Sequence, residues 1–172
     1  MIPCSPERSK SLISLPFREV LIPYRYGESM KILEGDEIRN VLPHRGSMLL
    51  LDRLVTESEN SVRGSYTFRG DEWFFDGHYP GNPIVPGAIL CEIMAQSACG
   101  LFGEEKAGNA APLLTHINGA EFRKQVKPGD RADTTAVLHA RHGVLYRVDC
   151  CLYVKETLCA SCHLTLYRPR GT

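Results

Sequence analysis

The stretch Pro86-Gly-Ala-Ile-Leu-Cys-Glu-Ile-Met-Ala-Gln-Ser-Ala-Cys-Gly-Leu-Phe-Gly103 decides the fold. Apolar residues occur on every side of a helical projection, with proline-glycine at the start and glycine at the end. Proline early and glycine late is the asymmetry expected of a helix. A helix that is apolar all round must be buried all round. Its surroundings read as strands. Candidates are 48–56, 62–69, 113–122, 132–141, 144–154 and 157–167, the later ones bounded by turns such as Pro128-Gly129-Asp130 and His142-Gly143. Short connections between consecutive strands favour antiparallel pairing. The expected class is α+β: one central buried helix wrapped by a curved antiparallel sheet. Ahead of the strands, Ile32, Ile38, Val41 and Leu42 are spaced as in a short amphipathic helix.

Length and charge bound the rest. A chain of 172 residues with 43% hydrophobic residues is of single-domain size and can bury a substantial core. Twenty basic residues balance twenty acidic ones, which argues against generic coating of nucleic acid. No apolar run approaches the ~20 residues that span a bilayer as a helix. Seven cysteines, an odd and scattered set with Cys150 and Cys151 adjacent, read as reduced thiols. Charges interrupt every apolar stretch near the amino terminus, so the expected location is cytoplasmic. Residues 1–30, with four prolines and no sustained period, are expected to form an extended or loosely attached arm, and 31–172 the domain.

Chemistry concentrates between residues 76 and 96. Glu92 and Gln96 lie four apart within the apolar helix and can touch. A buried carboxyl evades the cost of ionisation by a raised pKa or by partners, and a protonated glutamate in a dry pocket is a competent general acid. The preceding segment, Asp76-Gly-His-Tyr-Pro-Gly-Asn-Pro-Ile-Val-Pro-Gly87, is stiffened by prolines at 80, 83 and 86. Such a loop is a rigid mount for His78, the side chain best suited to proton transfer near neutral pH. The loop also delivers Gly87 to the helix start, where unpaired N–H groups can receive a developing oxyanion.

Three segments together resemble the FabZ-type 3-hydroxyacyl-acyl-carrier-protein dehydratases. GHYPGNPIVPGAILCEIMAQ (77–96) is similar to that family's G-H-F-P-G-x-P-x-x-P-G followed by E-A-M-A-Q. LPHRGSMLLLDRL (42–54) resembles its L-P-H-R-Y-P-F-L-L-V-D-R, and EFRKQVKPGD (121–130) its R-F-R-x-P-V-x-P-G-D turn. The resemblance covers roughly 31–167 and implies the hot-dog fold. It also implies a homodimer with active sites at the interface, histidine from one chain facing glutamate from the other, of a kind that often assembles further into a trimer of dimers. Carried over by position, it makes His78 and Glu92 the catalytic pair, Gly87 the thioester-binding amide and Gln96 the residue that steadies the carboxyl group. The implied reaction removes water from 3-hydroxyacyl thioesters on acyl carrier protein, in fatty-acid or polyketide elongation, without cofactor or metal. Gly46-Ser47 for Tyr-Pro, Ile93 for alanine and Tyr79 for phenylalanine depart from the pattern, and bear on substrate more than on reaction type.

Other features have simpler readings. Cys159-Ala-Ser-Cys-His163 matches a haem-attachment pattern but alternates as a strand. His44, His78 and His116 lack the short spacing of a zinc site; His44 and Arg45 are expected to fix a loop. Arg123, Lys124, Lys127 and Arg131 surround one turn, either as a solvated hairpin or as a docking patch for the acidic carrier protein. Two rival functions remain: a hot-dog thioesterase, and a non-catalytic acyl-binding or assembly subunit.

Overall fold

The computed structural model describes residues 30–103 and 111–169; the expected arm at 1–30 lies outside them except for Met30. Seven strands form one sheet: β1 (Lys31–Glu34), β2 (Arg53–Ser58), β3 (Ser61–Thr67), β4 (Leu113–Phe122), β5 (Arg131–His142), β6 (Leu145–Val154) and β7 (Thr157–Tyr167). Their spatial order is β1-β2-β3-β5-β6-β7-β4, and every neighbouring pair is antiparallel. The helix α1 (Gly87–Ala98) packs against β3, β5 and β6 and continues as a 3-10 turn over Cys99–Phe102. This helix wrapped in an antiparallel sheet is the hot-dog fold.

Helix and sheet fit because their contact surfaces are chemically matched. Nine of the twelve residues of α1 are buried, from Ile89 through Ala98 with Glu92 excepted. At the closest approach β3 carries Gly64, where a Cβ would fall 2.1 Å from Ser97 Oγ. Ser97 Oγ lies 2.5 Å from Thr134 Oγ1 on β5, and Thr134 Oγ1 in turn exchanges hydrogen bonds with the backbone of Gly64 at 3.1 Å each way. The polar atoms at this crossing are thus mutually satisfied, as burial requires. Farther along, Cys91, Cys150 and Cys162 line the seam with Met94; Cys162 Sγ is 3.8 Å from Met94 Sδ. Cys159 and Cys162 are buried on β7, which settles the haem-like pattern as a strand.

Two segments differ from expectation. The helix expected around Ile32–Leu42 is instead β1 followed by a 3-10 turn over Gly35–Asn40. Gly35, at φ +56°, breaks the helical period, and Ile38 alone of that turn reaches the core. The strand expected at 48–56 begins only at Arg53: Leu50 and Leu51 are buried in an irregular segment, where the Leu50 N–H bonds the Gln96 side chain of α1 rather than a ladder partner. One strand stands apart from the rest. Every residue of β4, at the sheet edge, is exposed, including Leu113, Leu114, Ile117 and Phe122.

Candidate active site

Glu92 interrupts the buried run of α1 and faces the 42–50 segment. Its Oε1 accepts from Gln96 Nε2 at 2.9 Å and sits 3.2 Å from His44 Nε2. Gln96 is fully buried. Its Nε2 also donates to Met48 O at 2.7 Å, and its Oε1 accepts from Leu50 N–H at 2.9 Å. Both amide hydrogens are therefore committed, and the orientation of the amide is fixed. Of the two routes open to a buried carboxyl, a raised pKa or supplied partners, Glu92 takes the second. Hydrogen bonding from His44 lowers its pKa, desolvation opposes that, and the Gln96 bond adds to the lowering, so the net direction is down. The carboxyl group rests ionised.

His78 sits at the far side of the proline-rich loop. Its Nδ1 lies 2.9 Å from Ile84 O. A carbonyl can only accept, so Nδ1 carries the proton and Nε2 is left as the basic nitrogen. Tyr79 next to it holds φ +60°, an uncommon conformation for a residue with a side chain, and its ring packs 4.5 Å from the imidazole. Asn82 N–H closes the turn on Tyr79 O at 2.9 Å. Loop strain and ring contact together hold the histidine.

Gly87 opens α1. The helix provides no acceptor for its first amides, and Ile89 and Leu90 N–H both turn back to Pro86 O. A Cβ at Gly87 would fall 2.9 Å from the ring of Phe122 on β4. Only glycine lets that half-exposed ring lie over the helix start. Phe122 was not singled out by the sequence reading; its position in the Glu121–Asp130 turn motif was the available signal.

Within one chain the expected residues assemble only in part. Glu92 and Gln96 meet, and His44 joins them. No hydrogen bond or ion pair among the described residues links His78 to Glu92. Gly87 and Glu92 are five residues apart on α1; the first amides of a helix point along its axis past the N-terminus, whereas the Glu92 side chain leaves the helix sideways toward His44, so the amide and the carboxylate face different ways. Clefts of about 880 and 620 Å³ occur elsewhere, the first beside Phe102 and Tyr146, the second beside Trp73 and Tyr79, and neither is lined by His78 or Glu92. His116 contacts Thr115, so the three histidines considered for zinc point to separate partners. In the basic turn, Arg123 pairs with Glu121 and Arg131 with Asp133, while Lys124 and Lys127 are exposed.

Residues 42–161 match the model of the FabA-like domain. The chain belongs to the FabA-like family. Within this family its relatives include the 3-hydroxyacyl-[acyl-carrier-protein] dehydratase FabZ of Petrotoga mobilis, 33% identical over 75% of this chain and 93% of that one. The FabZ of Streptococcus agalactiae is 37% identical over 78% of this chain and 96% of its own length. The FabA-like fold is seen again in the dehydratase heterocomplex ApeI:P of Xenorhabdus doucetiae, with a TM-score of 0.65 at 20% identity over 78% of this chain and 91% of that one. The matched residues 42–161 include the loop of His78, the helix of Glu92 and the strand end that carries Phe122.

Proposed function

We propose that this chain dehydrates 3-hydroxyacyl thioesters carried on acyl carrier protein to trans-2-enoyl thioesters, as a step of fatty-acid elongation. The observation that carries the reading is the Nδ1 contact of His78 with Ile84 O, which leaves Nε2 as a base held on a rigid loop. His78 Nε2 takes the C2 proton. The electron pair shifts toward the thioester carbonyl, where the Gly87 N–H stabilises the developing oxyanion, an interaction worth about 3 kcal/mol in comparable sites. As the pair returns, the C3 hydroxyl leaves with a proton from Glu92, departing as water. One proton is gained by histidine and one lost by glutamate, so dehydration and its reverse both need a single proton on the pair. Glu92, ionised at rest, takes up a proton before it serves as the acid in dehydration, and as the carboxylate it serves as the base toward water in hydration.

The assembly is part of the proposal. A long, uncovered edge strand with apolar side chains invites pairing; β4 is exposed along its whole length and carries Leu113, Leu114, Ile117 and Phe122. Two copies joined along β4 continue the sheet and place the Phe122 ring at the interface, beside Gly87. This supports a homodimer in which His78 of one chain faces Glu92 of its partner. Because Arg123 and Arg131 spend their charge on neighbouring carboxylates, Lys124 and Lys127 are the stronger candidates for contact with an acidic carrier. No helix among the described residues is long and apolar enough to cross a membrane, and we place the reaction in the cytoplasm.

Hydration of a trans-2-enoyl thioester by the purified protein tests this. His78→Ala and Glu92→Gln should each lower the rate about 10²- to 10⁴-fold with the fold intact. Release of free thiol would point to a thioesterase, and absence of turnover with both carrier-protein and coenzyme A thioesters would point to a binding subunit.

A further inference from the structure

The contact between His44 and Glu92 assigns a third side chain to the reaction, provided that Glu92 acts as proposed above. We propose that His44 is a positioning residue: its Nε2–H donates to Glu92 Oε1 and, with Gln96, saturates that oxygen, leaving Oε2 as the one that meets the substrate hydroxyl. Three observations support this. Both intrachain partners of the carboxylate reach the same oxygen, His44 at 3.2 Å and Gln96 at 2.9 Å, and Oε2 has no partner among the described residues. The other ring nitrogen, His44 Nδ1, is buried without a hydrogen-bond partner among the described residues. An unpaired acceptor costs less to bury than an unpaired N–H or a full imidazolium charge, so the proton belongs on Nε2, facing the carboxylate.

The third observation is the mount. Arg45 donates from Nη1 to Leu42 O at 2.6 Å and His44 O at 2.7 Å, and from Nη2 to Arg39 O at 3.1 Å. One guanidinium thereby ties the backbone on both sides of Pro43, and the imidazole between them has little freedom. A side chain held this firmly can fix the carboxylate in one rotamer, and small displacements of an acid–base group cost large factors in rate. The titratable groups facing Glu92 are His44 from the 43–45 segment and Cys99 from the helix end, whose buried thiol is pushed up to about 12 by desolvation and by the Glu92 charge. Cys99 is therefore neutral while His44 sets the carboxylate.

The test compares His44→Gln, whose amide reaches as far as Nε2, with His44→Asn, which is polar but too short, in hydration of crotonyl-coenzyme A. His44→Asn should lower kcat about tenfold to hundredfold with little change in KM, the loss expected for a hydrogen bond to a charged group. Its acidic limb should move to higher pH, because a donor that favours the ionised carboxyl is gone. His44→Gln should recover most of the rate and return the limb toward wild type. In a Glu92→Gln background, His44→Asn should have no further effect on kcat. An unmoved acidic limb, or equal rate loss in both His44 variants, would overturn the assignment. Full activity of Glu92→Gln alone would instead remove the role of Glu92 on which the assignment stands, a result distinguishable from failure at His44.

Discussion

Replacing Gln96 by leucine isolates the polar clasp from the chemistry it serves. The substitution keeps the volume approximately but deletes three hydrogen bonds, to Leu50 N–H, Met48 O and Glu92 Oε1. The buried Leu50 amide loses its acceptor, which costs about 1–3 kcal/mol. Water can replace the donor to Met48 O, because that contact is only part-buried, and the loss there is about 0.5 kcal/mol. The carboxylate forfeits one of two donors, about 1 kcal/mol after allowance for its exposure. Burying leucine in place of an amide returns about 1 kcal/mol. The net destabilisation is about 1.5–3.5 kcal/mol, which for a chain of this size lowers Tm by about 3–14 °C. Urea unfolding followed by circular dichroism should show a lower midpoint at unchanged slope. A midpoint shift worth less than about 0.5 kcal/mol would mean that the 48–50 segment repairs its own hydrogen bonding, and the clasp would lose its structural role.

Gly64→Ala should be destabilised by about 3 kcal/mol, since the new methyl group meets Ser97 Oγ at 2.1 Å and both flanking elements are fixed; overpacking of this kind is the expected mechanism, and thermal unfolding measures it. Gly87→Ala pushes against the Phe122 ring at 2.9 Å, so activity should fall more than stability, and Gly87→Ala combined with Phe122→Leu should recover part of the rate. Glu72 accepts from the Arg69 and Gly70 amides and from Tyr66 Oη; burial raises its pKa, but these bonds outweigh it and the net direction is down. A depressed carboxyl pKa gives stability that is present above the unfolded value of about 4.3 and lost as pH falls through the folded one. Glu72→Gln should therefore cost about 1 kcal/mol near neutral pH, after allowance for exposure, and less in acid. Ile117→Lys on β4 should shift sedimentation to a smaller species and reduce activity together; loss of neither would refute joining along that edge.

Residues with regular patterns were the ones that sequence could read. The helix 87–98 was evident from apolar positions on all sides, and β4 through β7 from alternation between turns with glycine or proline. The segment 31–52 was not, because a four-residue strand, two 3-10 turns and irregular chain follow one another there with no sustained period; Leu50 looks like a strand residue but its N–H bonds a side chain. The site divides in the same way. The Glu92–Gln96 contact follows from a spacing of four, whereas His44 is 48 residues from Glu92 and no local rule joins them. Which of the two routes Glu92 takes was not legible for that reason: burial was visible in the sequence, and the second donor was not.

The sulfur-lined seam between helix and sheet gives the protein an internal stopwatch. Alkylation needs a thiolate with access to reagent, and hydrogen bonding to neighbouring thiols, with burial behind it, pushes Cys91 and Cys162 far above their ordinary range. Neither can be modified until α1 lifts off β6 and β7. Pulse labelling of these two positions, read by peptide mass against the half-buried Cys151, would time how often the core breathes, without any introduced probe.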